Sequence, residues 1–325
     1  MDKLDQIKSP IQKEFDEFKE LYNSALFSNN PLLKEVLGYI KKRNGKMMRP
    51  TLIFLIAKLL DKVELSTYHA ALSLELLHTA SLIHDDVVDE SDKRRGQSSV
   101  NAIYNNKVSV LVGDYMLATS LQHSSMTNNI EIVKLVALLG QHLSEGEIVQ
   151  LSSINNDLFS VDTYYEIIKK KTAALFMASA EIAGLSVNAD ESTLEKLKLF
   201  GQYIGIAFQI KDDIFDYFPS SIIGKPTGND MLEGKLTLPA LYVLNKFQND
   251  EMTSLAKRIR SHSASKEEIE NFIAYIKDMG GIAYAKDVMH DFCSKAFELL
   301  PEDLGKKDLT DSLRLYVSYV IEREK

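Results

Sequence analysis

Residues 66–96, STYHAALSLELLHTASLIHDDVVDESDKRRG, carry the pattern from which the fold class follows. Ser66 is a candidate N-cap, and behind it Tyr68, Leu72, Leu76, Ile83 and Val87 recur at spacings of three, four or seven, which is the period of one helix face. The stretch then opens to water at Asp85-Asp86-Val87-Val88-Asp89. On a helix, about 100° per residue brings the first and last of these aspartates to one face within a turn, where like charges repel by a few tenths of a kcal/mol. The same form returns as Asp212-Asp213-Ile214-Phe215-Asp216. A repulsion accepted twice by one five-residue pattern points to a cation in the gap. Carboxylate oxygens without a companion Cys or imidazole set suit a hard ion, and Mg2+ is usually held by one or two carboxylates together with substrate phosphates.

Outward from that helix, apolar residues keep helical rather than alternating spacing over 31–42, 50–62, 107–122, 129–151, 161–185, 191–218, 235–247 and 266–300. With 15 Gly and 7 Pro in 325 residues, little interrupts them, and the expected fold is all-α. Asp162 or Ser160 is placed to start the helix carrying Tyr165, Ile168, Ala173 and Phe176. No Pro- or Ser-rich linker, short repeat or composition shift divides the chain, so a single domain over 1–325 is expected. The mid-chain cluster of breakers, Phe218 to Gly228, directly follows the second aspartate motif and reads as a polar loop able to move.

Composition narrows the function. A 45% hydrophobic content supports a large core, and a net charge of −8 excludes a nucleic-acid binder relying on a general basic surface. Polyanions must therefore be met locally, by metal ions and a few placed Lys and Arg side chains. The one cysteine, Cys293, cannot form an internal disulfide and fits a reducing cytosol as a packing residue. The charged N-terminus lacks a secretory apolar stretch and no segment is long and apolar enough to span a membrane, so a soluble, cytoplasmic protein is expected.

Cations flank both aspartate clusters. Arg94 and Arg95 offer planar forks to phosphate oxygens, with Gly96 letting the chain turn off the helix end. The second cluster is followed by Gly224-Lys225-Pro226-Thr227-Gly228-Asn229-Asp230 and Glu233-Gly234-Lys235-Leu236-Thr237, in which Lys225 and Lys235 stand beside glycines as point charges. Neither Walker nor Rossmann spacing is present. Gly45-Lys46-Met47-Met48-Arg49-Pro50 brings two more cations to a helix start, where unpaired N–H groups favour anions; taken alone it reads more often as a helix-start surface feature. In Lys169-Lys170-Lys171-Thr172, the first two lysines read as solvated charges.

In this order and combination the chain resembles the trans-isoprenyl diphosphate synthases, the head-to-tail polyprenyl synthetases, from about residue 30 to Arg323. The motifs are G-K-x-x-R-P at 45–50, H-T-A-S-L-I-H-D-D-V-V-D-E at 78–90, R-R-G at 94–96, V-L-V-G-D-Y at 110–115, K-T at 171–172, Q-I-K-D-D-I-F-D at 209–216, and G-K-P-T-G-N-D with E-G-K-L-T-L-P at 224–239. The resemblance implies an isoprenoid-synthase-type helical bundle around a deep central apolar cavity, usually homodimeric, with the two aspartate motifs facing each other and Mg2+ bridging them. It implies Asp85, Asp89 and Asp212 as metal ligands, with Asp86, Asp213 and Asp216 as ligands, water-mediated ligands or supports. Arg94, Lys171, Thr172, Gln209, Lys225 and Lys235 would hold an allylic diphosphate, and Lys46, Arg49, His78 and Arg95 isopentenyl diphosphate. His78 reads alternatively as a satisfied, half-buried histidine. The aspartates with Lys171 and Lys225 would carry catalysis by stabilising the diphosphate that leaves an allylic cation, in an apolar cavity that keeps water away. Transient membrane contact could accompany product release.

Helical rise extends the resemblance to product size. Counting back from Asp85 at about 1.5 Å per residue, Ser81 and Ala80 lie about 6 to 7.5 Å down the helix, Leu77 about 12 Å and Leu74 about 16 Å. In the family, enzymes with short products tend to carry a bulky aromatic at one of the first two positions. Small residues here imply a product of geranylgeranyl length or longer, an octaprenyl-like length being the leading reading, with Leu77, Leu74, Tyr115, Met116 or Leu121 as candidates for a deeper floor. The alternatives are a short-chain farnesyl or geranylgeranyl synthase, a terpene cyclase on the same fold, or a non-catalytic prenyltransferase subunit. A cyclase usually replaces the second aspartate motif with an Asn/Ser/Glu triad, and a non-catalytic subunit loses aspartates or cations; neither departure is present.

Overall fold

The structure, a computed structural model, describes residues 2–43, 45–94, 96–153, 160–219, 227–300 and 305–322. It begins with α1 (Lys3–Lys8), a 3-10 turn at Ser9–Ile11 and α2 (Gln12–Ala25), whose Ile7, Ile11, Phe15, Phe18 and Tyr22 recur at helical spacing and are buried. In α3 (Pro31–Lys42) the Asn30 side chain accepts the Leu33 N–H and Pro31 occupies the first position, where a missing N–H costs nothing. α4 (Met48–Leu60) is buried along nearly its whole length. α5 (Leu65–Val88) is capped by Glu64 rather than Ser66: the Glu64 carboxylate accepts the Thr67 N–H while the Thr67 hydroxyl accepts the Glu64 N–H. The Ser66 hydroxyl instead donates to the Ser186 carbonyl.

The fold is all-α as expected, and the hairpin that follows α5, β1 (Lys93–Arg94) paired antiparallel with β2 (Gln97–Ser98), is too small to alter that class. Gly96, at φ +75°, serves the turn of this hairpin, and the chain leaves α5 through Glu90 at φ +49°. Then follow α6 (Val100–Tyr104), α7 (Asn106–Ser125) and α8 (Ile130–Ser153). Ser160, not Asp162, caps α9 (Val161–Ile168) by accepting the Thr163 N–H. A π-helical turn, Lys169–Ala173, joins it to α10 (Ala174–Ser186), and α11 (Glu191–Asp216) ends on the second aspartate cluster. The remainder is α12 (Asn229–Leu232), α13 (Leu238–Phe247), α14 (Asp250–Arg260), α15 (Lys266–Asp278), α16 (Gly281–Glu298) and α17 (Lys307–Glu322). Gly280, at φ +81°, breaks the expected helix 266–300 in two.

The chain groups into two compact units, each built from separate stretches. One comprises Met1–Gln141, Leu175–Gly201 and Phe297–Tyr319; the other comprises His142–Ala174, Gln202–Ala296 and Val320–Lys325. In the first, α5 lies close along α7 because small residues meet there: the Ser120 hydroxyl donates to the Ser73 carbonyl at 2.7 Å, and a Cβ on Gly113 would come within 2.2 Å of His84 Nε2. A Cβ on Gly201 would come within 2.4 Å of the Phe176 carbonyl oxygen, so α10 and α11 also depend on a missing side chain. In the second unit Tyr242 stacks on Tyr284 at 3.9 Å between ring centroids, and Phe292 packs beside Tyr165 and Tyr203. Cys293 is free and buried, as a packing residue should be. Among the described residues no helix is long and apolar enough to cross a membrane.

Candidate active site

Both aspartate clusters occupy the last turn of their helices. A helix C-terminus carries partial negative charge, so three carboxylates there are held against the backbone field as well as against one another. Asp89 is the C-cap of α5, its N–H donating to the Asp85 carbonyl at 2.8 Å, which preserves the one-turn spacing of the two side chains. Asp89 is exposed, Asp85 half-exposed and Asp86 buried. Arg94 Nε donates to Asp86 Oδ1 at 2.7 Å. Burial pushes the Asp86 carboxyl up, opposed by the guanidinium groups of Arg94 and Arg43. Asn101 donates from Nδ2 to the carbonyls of Asp86 and Ser91, each at 3.2 Å, closing the turn that leads into the hairpin.

The other cations predicted in this unit lie on α4 and its approach. Lys46 Nζ donates to the Tyr319 hydroxyl at 2.7 Å, and the Arg49 guanidinium stands 5.4 Å from the centroid of the Phe176 ring. His78 is buried on α5. Ala80, Leu77 and Leu74 are buried as well, whereas Ser81 retains partial exposure and donates to the His78 carbonyl at 2.9 Å. Arg95 lies outside the described residues.

In the second unit a relay of hydrogen bonds surrounds Asp213. Thr172 Oγ1 donates to Gln209 Oε1 at 2.6 Å, Gln209 Nε2 donates to Asp213 Oδ1 at 2.8 Å, and the Tyr164 hydroxyl donates to Asp213 Oδ2 at 2.6 Å. Burial still pushes the Asp213 carboxyl up to about 7, with Asp212 and Asp216 adding to the rise against the two hydrogen bonds. Asp216 does different work. Its two carboxylate oxygens accept the N–H groups of Asn229 at 2.9 Å and Asp230 at 3.1 Å, and its carbonyl accepts the Gly228 N–H at 2.8 Å. Asp230 is held well above the usual carboxylate range by burial first and then by Asp216 and Asp213.

Lys171 pairs with Glu147 and lies 3.4 Å from Gln150 Oε1, while Lys235 pairs with Glu233 at 2.7 Å. Lys171, Thr172, Gln209, Asp213 and Lys235, predicted separately along the sequence, line one cavity of about 300 Å³ together with Tyr164 and Arg260. Lys170 is half-buried and pairs with Glu166 and Glu145 rather than standing as a lone solvated charge. Lys225 and its neighbours 220–226 lie outside the described residues, and with them the loop expected to move.

Asp86, Asp213 and Asp216, read as metal ligands, are engaged by well-defined protein partners. Asp86 and Asp213 are buried, on Arg94 and on Tyr164 with Gln209, and Asp216 caps backbone N–H groups, an arrangement that suits supports better than direct ligands. Among the described residues no three His, Cys, Asp or Glu side chains converge as a preformed metal site. An ion with an oxygen-only preference that completes its shell from phosphate and water fits such a donor set. Tyr164, Glu147 and Arg43 were not expected from the sequence. A faint signal exists for Tyr164, which precedes Lys171 by about two helical turns and so shares its face.

The chain matches the family model for polyprenyl synthetase over residues 30–276. It is 32% identical to an octaprenyl diphosphate synthase of Haemophilus influenzae over 94% of either chain. It also superposes with a TM-score of 0.87 and 50% identity on the crystal structure of a geranylgeranyl pyrophosphate synthase from Bacteroides thetaiotaomicron, covering 99% of this chain and 100% of that one. A polyprenyl synthase from Caulobacter crescentus, crystallised with calcium and isoprenyl diphosphate, gives a TM-score of 0.91 at 28% identity, covering 99% of this chain and 98% of that one.

Proposed function

The chain belongs to the polyprenyl synthetase family and is a prenyl-transferring enzyme, and from that premise we propose an Mg2+-dependent condensation of isopentenyl diphosphate, head to tail, with an allylic diphosphate. The products are inorganic diphosphate and an all-trans polyprenyl diphosphate longer by one isoprene unit per cycle. The observation that carries this reading is the convergence of Lys171, Thr172, Gln209, Asp213 and Lys235 on one cavity. Such a set can bind a diphosphate and hold its position.

Asp85, Asp89 and Asp212 are the residues we assign to Mg2+, with Asp86, Asp213 and Asp216 fixing the helix ends that present them. When bound, Mg2+ supplies Lewis-acid stabilisation of charge on the diphosphate. Lys171 and Lys235 place fixed positive charge where the allylic C–O bond breaks and its electron pair goes to diphosphate. Lys171 must exchange part of its contact with Glu147 for phosphate oxygen, and Thr172 and Gln209 orient the group as the bond lengthens. The isopentenyl double bond attacks the allylic cation, and the proton lost from the adduct passes to the departing diphosphate. With the departing diphosphate taking the proton, no protein base is needed. Lys225 and Arg95 belong to the same proposal as further diphosphate contacts, and Lys46, Arg49 and His78 as the isopentenyl diphosphate set.

We assign a product of geranylgeranyl length or longer. The small Ala80 and Ser81 support passage of a growing tail, and the Haemophilus relative is named for an octaprenyl product. The 50% identity to a protein named for geranylgeranyl pyrophosphate favours, as a second reading, a stop at that length. A homodimer is supported by the exposed Leu111, Leu121, Ile130 and Leu138 on α7 and α8, and a cytoplasmic setting by the free thiol of Cys293. Purified protein incubated with Mg2+, isopentenyl diphosphate and a labelled allylic primer should yield elongated products, sized by chromatography after dephosphorylation. No elongation from any primer would overturn the catalytic reading.

A further inference from the structure

We propose that Arg43, outside every motif that marks this family here, is a positioning residue that clamps the β1–β2 hairpin and so holds Arg94 in place for diphosphate. A ladder of two residues per strand cannot order itself in water, so something outside the hairpin must fix it. Arg43 grips both strands. Its Nε donates to Gln97 Oε1 at 3.0 Å, and its Nη2 donates to the Arg94 carbonyl at 3.1 Å and the Gln97 carbonyl at 3.4 Å. The guanidinium lies 5.1 Å from the centroid of the Tyr39 ring, and the Tyr39 hydroxyl donates to the Ser98 carbonyl at 2.6 Å. The end of α3 therefore meets β1 at one carbonyl and β2 at two, while the Arg94 side chain is left to reach Asp86. A planar fork with several donors in fixed directions can span acceptors on two strands; an ammonium on a flexible stem cannot.

The inference rests on the reading that the hairpin arginine meets a diphosphate, and the test separates the two. Steady-state kinetics with each substrate varied in turn would compare Arg43→Ala, Arg43→Lys, Gln97→Ala and Arg94→Ala with the parent, alongside amide hydrogen exchange over residues 93–98. Arg43→Ala should raise, by about tenfold, the KM for the same diphosphate that Arg94→Ala affects, with kcat and Tm near the parent values. Exchange in the hairpin should quicken, Arg43→Lys should behave as Arg43→Ala does, and Gln97→Ala should show a smaller change in the same direction. A KM raised in Arg94→Ala but unchanged in Arg43→Ala would sink the inference alone, as would full rescue by lysine or unaltered exchange. Both KM values unchanged in Arg94→Ala would remove the diphosphate role of the hairpin and the inference with it.

Discussion

At Asp213 two donated hydrogen bonds fail to offset the loss of water, and the carboxyl titrates near 7. The unfolded group titrates near 3.8, so between about pH 4 and pH 7 the folded protein binds more protons than the unfolded chain. The stability contributed by this group is complete below the lower value and is lost as the pH rises through the upper one. Asp213→Asn should therefore flatten the fall of Tm with pH across this range in metal-free protein, measured by thermal melts in the presence of a chelator. Curves that stay parallel to the parent's would refute it. Asp86, Asp230 and Glu181, raised by the same cause, keep a residual slope in the variant. Residue by residue, the cations beside glycines and aspartates were legible because each sits inside a local motif. Tyr164 was not, because its partner is 49 positions away. Arg43 was not, because its acceptors are mostly backbone carbonyls, which no side-chain pattern reveals.

Among the elements, α5 combines two duties: its last turn presents Asp85 and Asp89, and its earlier turns carry the residues proposed to measure the product. Ala80, Leu77 and Leu74 are packed within their unit, which leaves Ser81 as the partly accessible one of the four. Ser81→Phe should shorten the product, read as a shift of the chromatographic distribution toward fewer isoprene units; an unchanged distribution would sink this placement of the tail. The long helices were legible from their apolar period. The hairpin was not, since Lys93, Arg94, Gln97 and Ser98 show no alternation of apolar and polar side chains. Nor was the π-helical turn at Lys169–Ala173, since its Lys-Lys-Lys-Thr-Ala sequence contains no helix breaker to mark the change of winding.

For the molecule as a whole, the grouping into two units left no mark in composition, because α8 and α11 run across the sequence positions where one unit gives way to the other. The donor set also bears on the whole molecule. With no three ligating groups converging among the described residues, ion and diphosphate should stabilise the fold together more than separately. At concentrations about 100-fold above Kd a ligand of the native state adds about 2.7 kcal/mol. Mg2+ with inorganic diphosphate should accordingly raise Tm by several degrees, and a chelator should abolish the rise. An equal rise with Mg2+ alone would show that the protein completes the ion's shell unaided.

The three hydrogen bonds from residues 228–230 to Asp216 tie the start of α12 to the last residue of α11. A carboxylate spent on two backbone N–H groups acts as a hinge pin, so Asp216→Ala should loosen the start of α12, and with it Asp230, before it disturbs the rest of α11.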